Sequence, residues 1–154
     1  MSMLPKVEIF AGLSEDEQAA LENSCVTRNY PRNTVVINEN DFADSLYVIE
    51  SGRVKVYCSD KNGKEYIMNT LGPGDYFGEL ALLDDDRRSA SVRTLEKSTF
   101  TIMFKDEFHA IMERHPKIAQ TLIRNLTRRV RKLTENVKSL ALQDVYGRIV
   151  RLLT

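Results

Sequence analysis

The chain has 154 residues, enough for one ordinary domain or one domain with an appended helix. Apolar residues make up 42% and charged residues 29%, the balance of a soluble globular chain. Its 22 Lys and Arg equal its 22 Asp and Glu, so a net charge of zero excludes a global basic bias toward nucleic acid and an acidic tail.

No apolar run of about 18 residues occurs, so no membrane span is expected. The opening MSMLPKVEIF lacks the charged head and long apolar core of a signal peptide. Cys25 and Cys58 have no CxxC spacing, which suits a reducing cytoplasm. His109 and His115 stand six apart and miss the i, i+4 spacing of helical metal pairs. His109 and Glu113 have it, but a solvated helix face explains them. No metal site is expected.

In chain order, Ser14 to about Cys25 reads as a short helix, with Ser14 and Glu17 in a capping-box pattern. A strand-rich stretch follows from about Thr27 to Phe104. SLYVIE, GRVKVYC, KEYIMNTL, SASVRT and TFTIMF are runs of β-branched and aromatic residues. Alternation over Arg53–Tyr57 predicts one buried face. Ser51-Gly52, Asn62-Gly63 and Gly72-Pro73-Gly74-Asp75 are turn signals between them. Many short strands at regular spacing predict a small sandwich or barrel-like roll.

Lys105 to about Arg114 is a short helix, and Pro116 can start another. Ala119, Ile123, Leu126, Val130, Leu133, Val137 and Leu140 then recur at spacings of 4 and 3, a heptad seam. At least part of it is expected to pair with a second helix; the other reading packs it on its own β domain. Arg124, Arg128, Arg129, Arg131 and Lys132 around it read as a solvated face. DVYGRIVRLLT reads as a further amphipathic helix capped by Asp144. Its bare leucines at the end suggest a cut near a domain boundary.

The stretch FGELALLDDDRRSASV, Phe77 to Val92, carries the chemistry. Gly78 lets the backbone bend and approach a ligand. Glu79 to Leu83 can form one helical turn whose free N–H groups favour an anion. Arg88 adds a forked cation suited to phosphate, Ser89 a hydroxyl donor, and Ala90 leaves room. Glu79 would repel phosphate but accepts well from a sugar hydroxyl. A ribose with a cyclised phosphate satisfies both ends. Competing readings are Glu79 as a helix N-terminal acid, Arg88 paired with Asp84, Asp85 or Asp86, and a cation site on those aspartates. Arg87 reads as solvent-facing.

Gly78-Glu79-Leu80-Ala81-Leu82-Leu83 followed by Arg88-Ser89-Ala90 resembles the phosphate-binding cassette of cyclic-nucleotide-binding domains. Leu140 to Ile149 is similar to the dimer helix and hinge of the catabolite activator (cyclic AMP receptor protein) family. The resemblance implies a mainly β fold with flanking helices: a double-stranded β-helix, or jelly-roll-like β-roll, over 1–115. A long dimerisation helix over 116–141 and a hinge with the start of a helix-turn-helix domain over 142–154 would follow. It implies an allosteric sensor of a transcription regulator in the cytoplasm, homodimeric through the helix, with DNA reached only through a domain outside the chain.

Under that resemblance Glu79 takes the ribose 2′-OH. Arg88 and Ser89 bind the phosphate, with Gly78, Leu80, Ala81 and Ala90 beside it. The effector would be cyclic AMP, with cyclic GMP as the second choice. Bacterial sensors of this kind place a Thr-Ser pair on the dimer helix against the base. Here Leu133-Thr134 stands there, so Thr134 is the candidate contact and Leu133 cannot donate. The alternative is the same fold sensing another effector or none. Haem and iron–sulfur need clustered Cys or His ligands, which are absent. Catalysis is not expected, because no strand carries a His and no Ser/His/Asp or Cys/His set is available.

Overall fold

In a computed structural model that describes residues 7–153, eight strands form two antiparallel four-stranded sheets. Residues 1–6 and Thr154, parts of the first and last expected segments, lie outside the described residues. The strands are β1 (Val26–Tyr30), β2 (Val35–Ile37), β3 (Ser45–Ser51), β4 (Val54–Ser59), β5 (Glu65–Leu71), β6 (Tyr76–Phe77), β7 (Ser91–Thr94) and β8 (Ser98–Phe104). One sheet has the order β1-β8-β3-β6 and the other β2-β7-β4-β5, so the chain crosses between sheets repeatedly, as a jelly-roll does. Helices flank the roll: α1 (Glu15–Asn23), α2 (Lys105–Arg114) and α3 (Pro116–Leu153). The mainly β reading of the sequence holds.

The centre of SLYVIE, Leu46 to Ile49, is apolar without interruption because β3 is buried on both faces. Leu46 and Val48 pack toward the helices with Phe10, Leu21, Phe108, Ile118 and Leu122. Tyr47 and Ile49 pack between the sheets with Val54, Phe77, Val92 and Phe100. In that inner core Tyr47 stacks on Phe77 at 5.0 Å, and the Phe100 ring stands edge-on to both.

The chain passes from β3 in one sheet to β4 in the other through a tight turn at Gly52, whose φ is +98°. A Cβ there would lie 2.6 Å from the Ser98 Cα, so the turn needs glycine for conformation and for space. Alternation in β4 holds on the inner side, with Val54 buried and Val56 half-buried. Tyr57 on the opposite face is buried as well, beneath Lys55 at 5.3 Å and Arg93 at 5.1 Å, whose charges meet on Glu65. Facing β4, strand β5 carries a bulge: Val56 pairs with Asn69 and Tyr57 with Ile67, leaving Met68 extra.

Ser14 caps α1 as expected. Its Oγ accepts from the Glu17 N–H at 3.2 Å and donates to Glu17 Oε1 at 2.9 Å.

The C-terminal part departs from the sequence reading. The separate helix expected to start at Asp144 is absent: α3 runs unbroken from Pro116 to Leu153, through the described part of the expected hinge segment 142–154. No proline follows Pro116, and a single Gly147 costs a helix only about 1 kcal/mol. Asp144 instead pairs with Arg148 one turn on, at 3.1 Å. Near its start α3 buries Ile118, Leu122 and Asn125 on the roll. The Asn125 amide donates to the carbonyls of Ile9 at 2.8 Å and Ala11 at 3.0 Å, which ties the helix to the N-terminal turn. The heptad seam lies on a neighbouring face, and Ile123, Val130, Leu133, Val137 and Leu140 are all exposed. Leu126, half-buried against the helical side of the core, is a seam position that does pack on its own domain; for the five exposed residues that reading is overturned. Among the described residues no helix is long and apolar enough to cross a membrane.

Candidate functional site

β6 delivers Phe77 into the inner core, and Gly78 then turns the chain with φ +80°. A Cβ at residue 78 would collide with Arg88 Nη1 and lie 2.9 Å from the Ser45 carbonyl oxygen. Glycine is what lets both ends of the cassette meet at β3. The turn continues as a short 3₁₀ helix, Glu79–Leu82, tighter and shorter than the turn expected over 79–83. Leu80 contributes backbone to it, and its side chain lies outside the described residues.

The aspartates after it do not converge. Asp84 Oδ1 accepts from the Asp86 N–H at 2.9 Å, Asp86 Oδ1 accepts from the Arg87 N–H at 2.8 Å, and Asp85 pairs with Lys105. Among the described residues no cluster of His, Cys, Asp or Glu is arranged to hold a metal. Lys105 and His109 of α2 clasp this segment. Lys105 reaches the Asp84 carbonyl, and His109 Nε2 lies 2.9 Å from the Leu82 carbonyl. His109 thus faces the cassette rather than a purely solvated helix surface.

Arg88 is 6% exposed. Its Nη2 donates to Ser45 Oγ at 3.1 Å and stands 3.7 Å from Asp44 Oδ1, so its anionic neighbour is Asp44 and not the three aspartates before it. Nη1 is buried with no hydrogen-bond partner among the described residues. Burial pulls the Arg88 pKa down, while Tyr47, Asp44 and Asp41 favour the charged form. An incompletely satisfied buried guanidinium is costly unless an anion completes it.

Gly78, Glu79, Ala81, Arg88, Ser89 and Ala90 line one cavity of about 480 Å³, as the motif leads one to expect. Its far wall is apolar, with Ile37, Val56, Leu71 and Val92 from the four strands of the second sheet. A polar, cationic end and an apolar end in one cavity suit a small amphiphilic ligand. Arg87 is exposed, as read from the sequence, but also borders the mouth. Its guanidinium sits 4.4 Å above the Phe42 ring and donates to the Asn40 carbonyl at 2.9 Å. Thr134 is not brought to this cavity. It is exposed on α3, with its hydroxyl donating to the Val130 carbonyl at 2.9 Å.

The residue the sequence reading misplaced is Arg129. It does not join a solvated face: its Nη2 bonds Glu79 Oε1 at 3.1 Å. Burial opposes its charge, but the bond and charge of Glu79, with Tyr76 and Glu8 nearby, outweigh that and raise its pKa. A signal was present. Ile118, Leu122, Asn125 and Arg129 form a second 4-3-4 stripe, one residue ahead of the seam.

Three comparisons bear on this geometry. The chain matches the cyclic nucleotide-binding domain family over residues 27–115. It is 32% identical over 149 residues to a CRP-like cAMP-activated global transcriptional regulator of Mycobacterium tuberculosis, covering 97% of this chain and 66% of that protein. It is 30% identical over 141 residues to the cyclic AMP receptor protein of Thermus thermophilus, covering 92% and 65%. Among solved structures, the N-terminal domain of a transcriptional regulator from Streptomyces coelicolor A3(2) superposes with a TM-score of 0.81 at 27% identity, over 88% of this chain and 95% of that one. The chain thus spans just under two thirds of the length of the curated relatives it matches. With the cassette, the roll and the long helix in place, the chain belongs to the cyclic nucleotide-binding domain family, of the type found in catabolite-activator regulators.

Proposed function

We propose that this chain is the sensor part of a transcription regulator, binding a cyclic nucleotide, cyclic AMP first among them, and passing the event to α3. The observation that carries the reading is the buried, unpartnered Nη1 of Arg88 in a cavity that also holds Glu79. A cyclic phosphate supplies the missing acceptor, Ser89 adds a donor, and Glu79 accepts from the ribose 2′-OH. Two relatives are named for cyclic AMP, which supports the choice of effector.

The relay has a physical start at Glu79. One carboxylate serves both the ribose and Arg129 of α3, so occupancy of the cavity changes what holds the helix. A ligand shifts such an equilibrium only by its differential affinity for the two helix positions. The exposed seam over 116–141 is the surface for a second copy, and Thr134 meets the base there only if the paired helices carry it to the cavity. Residues 142–154 then lead toward a DNA-reading module, the part of such a regulator beyond the two thirds spanned here.

Calorimetric titration of cyclic AMP, beside an Arg88→Ala variant, tests the reading. Micromolar binding is expected, with a loss of roughly 30- to 4,000-fold in the variant, the usual effect of breaking a desolvated charge pair. Undiminished binding in the variant would remove Arg88 from the site. No binding to the wild-type chain would refute the sensor reading.

A further inference from the structure

The apolar end of the cavity holds one polar side chain that the cassette does not account for. The β5 bulge at Met68 puts two consecutive residues, Met68 and Asn69, onto the cavity wall, where a regular strand would present one. Asn69 pairs across the ladder with Val56, and Val56 with Val92, so its amide ends an otherwise apolar row. With phosphate at Arg88 and ribose at Glu79, this wall is what remains for the base.

The amide has a defined orientation. Its Oδ1 accepts from the Thr70 N–H at 2.8 Å, which only the oxygen can do. The amino group carries no hydrogen bond among the described residues. The wall therefore offers two N–H donors with the acceptor already engaged. The major-groove edge of guanine carries two acceptors, N7 and O6, whereas adenine carries N7 and the N6 amino donor. Two donors match the first edge and place donor against donor on the second.

We propose that Asn69 is a base-reading residue whose amino group engages the N7 and O6 edge of 6-oxopurines, so that this site admits cyclic GMP and cyclic IMP beside cyclic AMP. This rests on the nucleotide reading above and adds the selectivity. The experiment is calorimetry of the wild-type chain and Asn69→Ala with cyclic AMP, cyclic GMP and cyclic IMP. Cyclic IMP keeps O6 and N7 but lacks the guanine amino group, so it isolates the proposed edge. Asn69 is exposed on an edge strand, and the variant keeps the fold, checked by circular dichroism. The expected result is a loss of about tenfold for cyclic GMP and cyclic IMP and of less than about threefold for cyclic AMP, the scale of one hydrogen bond. Equal losses for all three, or none, would overturn the role of Asn69 and leave the sensor reading intact. Wild-type binding of cyclic AMP alone would also overturn it. Failure of all three to bind the wild type would overturn both.

Discussion

At the scale of single residues, the site is built against the stability of the empty domain. Arg88 is buried with one nitrogen unpartnered, and Gly78 exists to let it in. Arg88→Leu should therefore leave the ligand-free chain as stable, or more stable by about 2 kcal/mol, while abolishing nucleotide binding. Chemical denaturation with and without cyclic AMP measures both effects; a strongly destabilised apo variant would show that Arg88 is structural. Gly78→Ala should do the reverse of a mild change, because positive φ and the contact with Ser45 add. A cost of about 2–4 kcal/mol is expected, along with loss of binding. Cys25 tests burial alone. Its thiol is pushed up to about 11, chiefly by burial, and donates to the Leu21 carbonyl at 3.2 Å. An unfolded chain ionises this thiol near 8.5, so the native hold on the neutral form is complete below about pH 8.5 and is lost as pH rises toward 11. Iodoacetamide at pH 8 should spare Cys25 in the folded chain and label it after unfolding.

At the scale of elements, α3 is held by two polar pins on one stripe. Asn125 holds the N-terminal turn and Arg129 holds the cassette; past them the helix is exposed almost throughout. Asn125→Ala strands two carbonyls and should cost about 2–3 kcal/mol, read by urea unfolding. Gly147 sits inside the helix with open space around its Cα. Gly147→Ala should raise helical ellipticity and stabilise the last turns by about 1 kcal/mol. No gain in ellipticity would show that the chain bends there in solution.

At the scale of the whole molecule, the two stripes on α3 divide its work. Ile118, Leu122, Asn125 and Arg129 face the roll, and the seam residues Ile123, Val130, Leu133, Val137 and Leu140 face outward, each more than half exposed. Such a row seldom stays in water on a single chain. Sedimentation equilibrium should show a dimer, and Val130→Glu with Val137→Glu should return a monomer that still binds nucleotide at the cassette. A wild-type chain that remains monomeric at high concentration would remove the seam from the interface.

Much of this was legible in the sequence, because it depends on local chemistry. Apolar runs and turn glycines marked the strands, the 4-3 spacing marked the helix and its seam, and Gly78 to Ala90 marked the cavity. A bulge, an ion pair and a helix end are decided by what lies across from them. Met68 and Asn69 share a wall because β5 slips against β4. Arg129 joined a basic run by its neighbours in sequence but meets Glu79 across 50 residues of chain. Asp44 and Ser45, unmarked in the sequence, surround Arg88 because β3 runs beside the cassette. The separate helix read from DVYGRIVRLLT rested on a capping aspartate, and the cooperativity of an intact helix overrode it. The sequence by itself determined which residues could bind a cyclic phosphate. The tertiary structure alone decided that the unpartnered Arg88 donor and the Glu79 carboxylate that anchors the long helix share one cavity, because only packing brings groups so distant in sequence together.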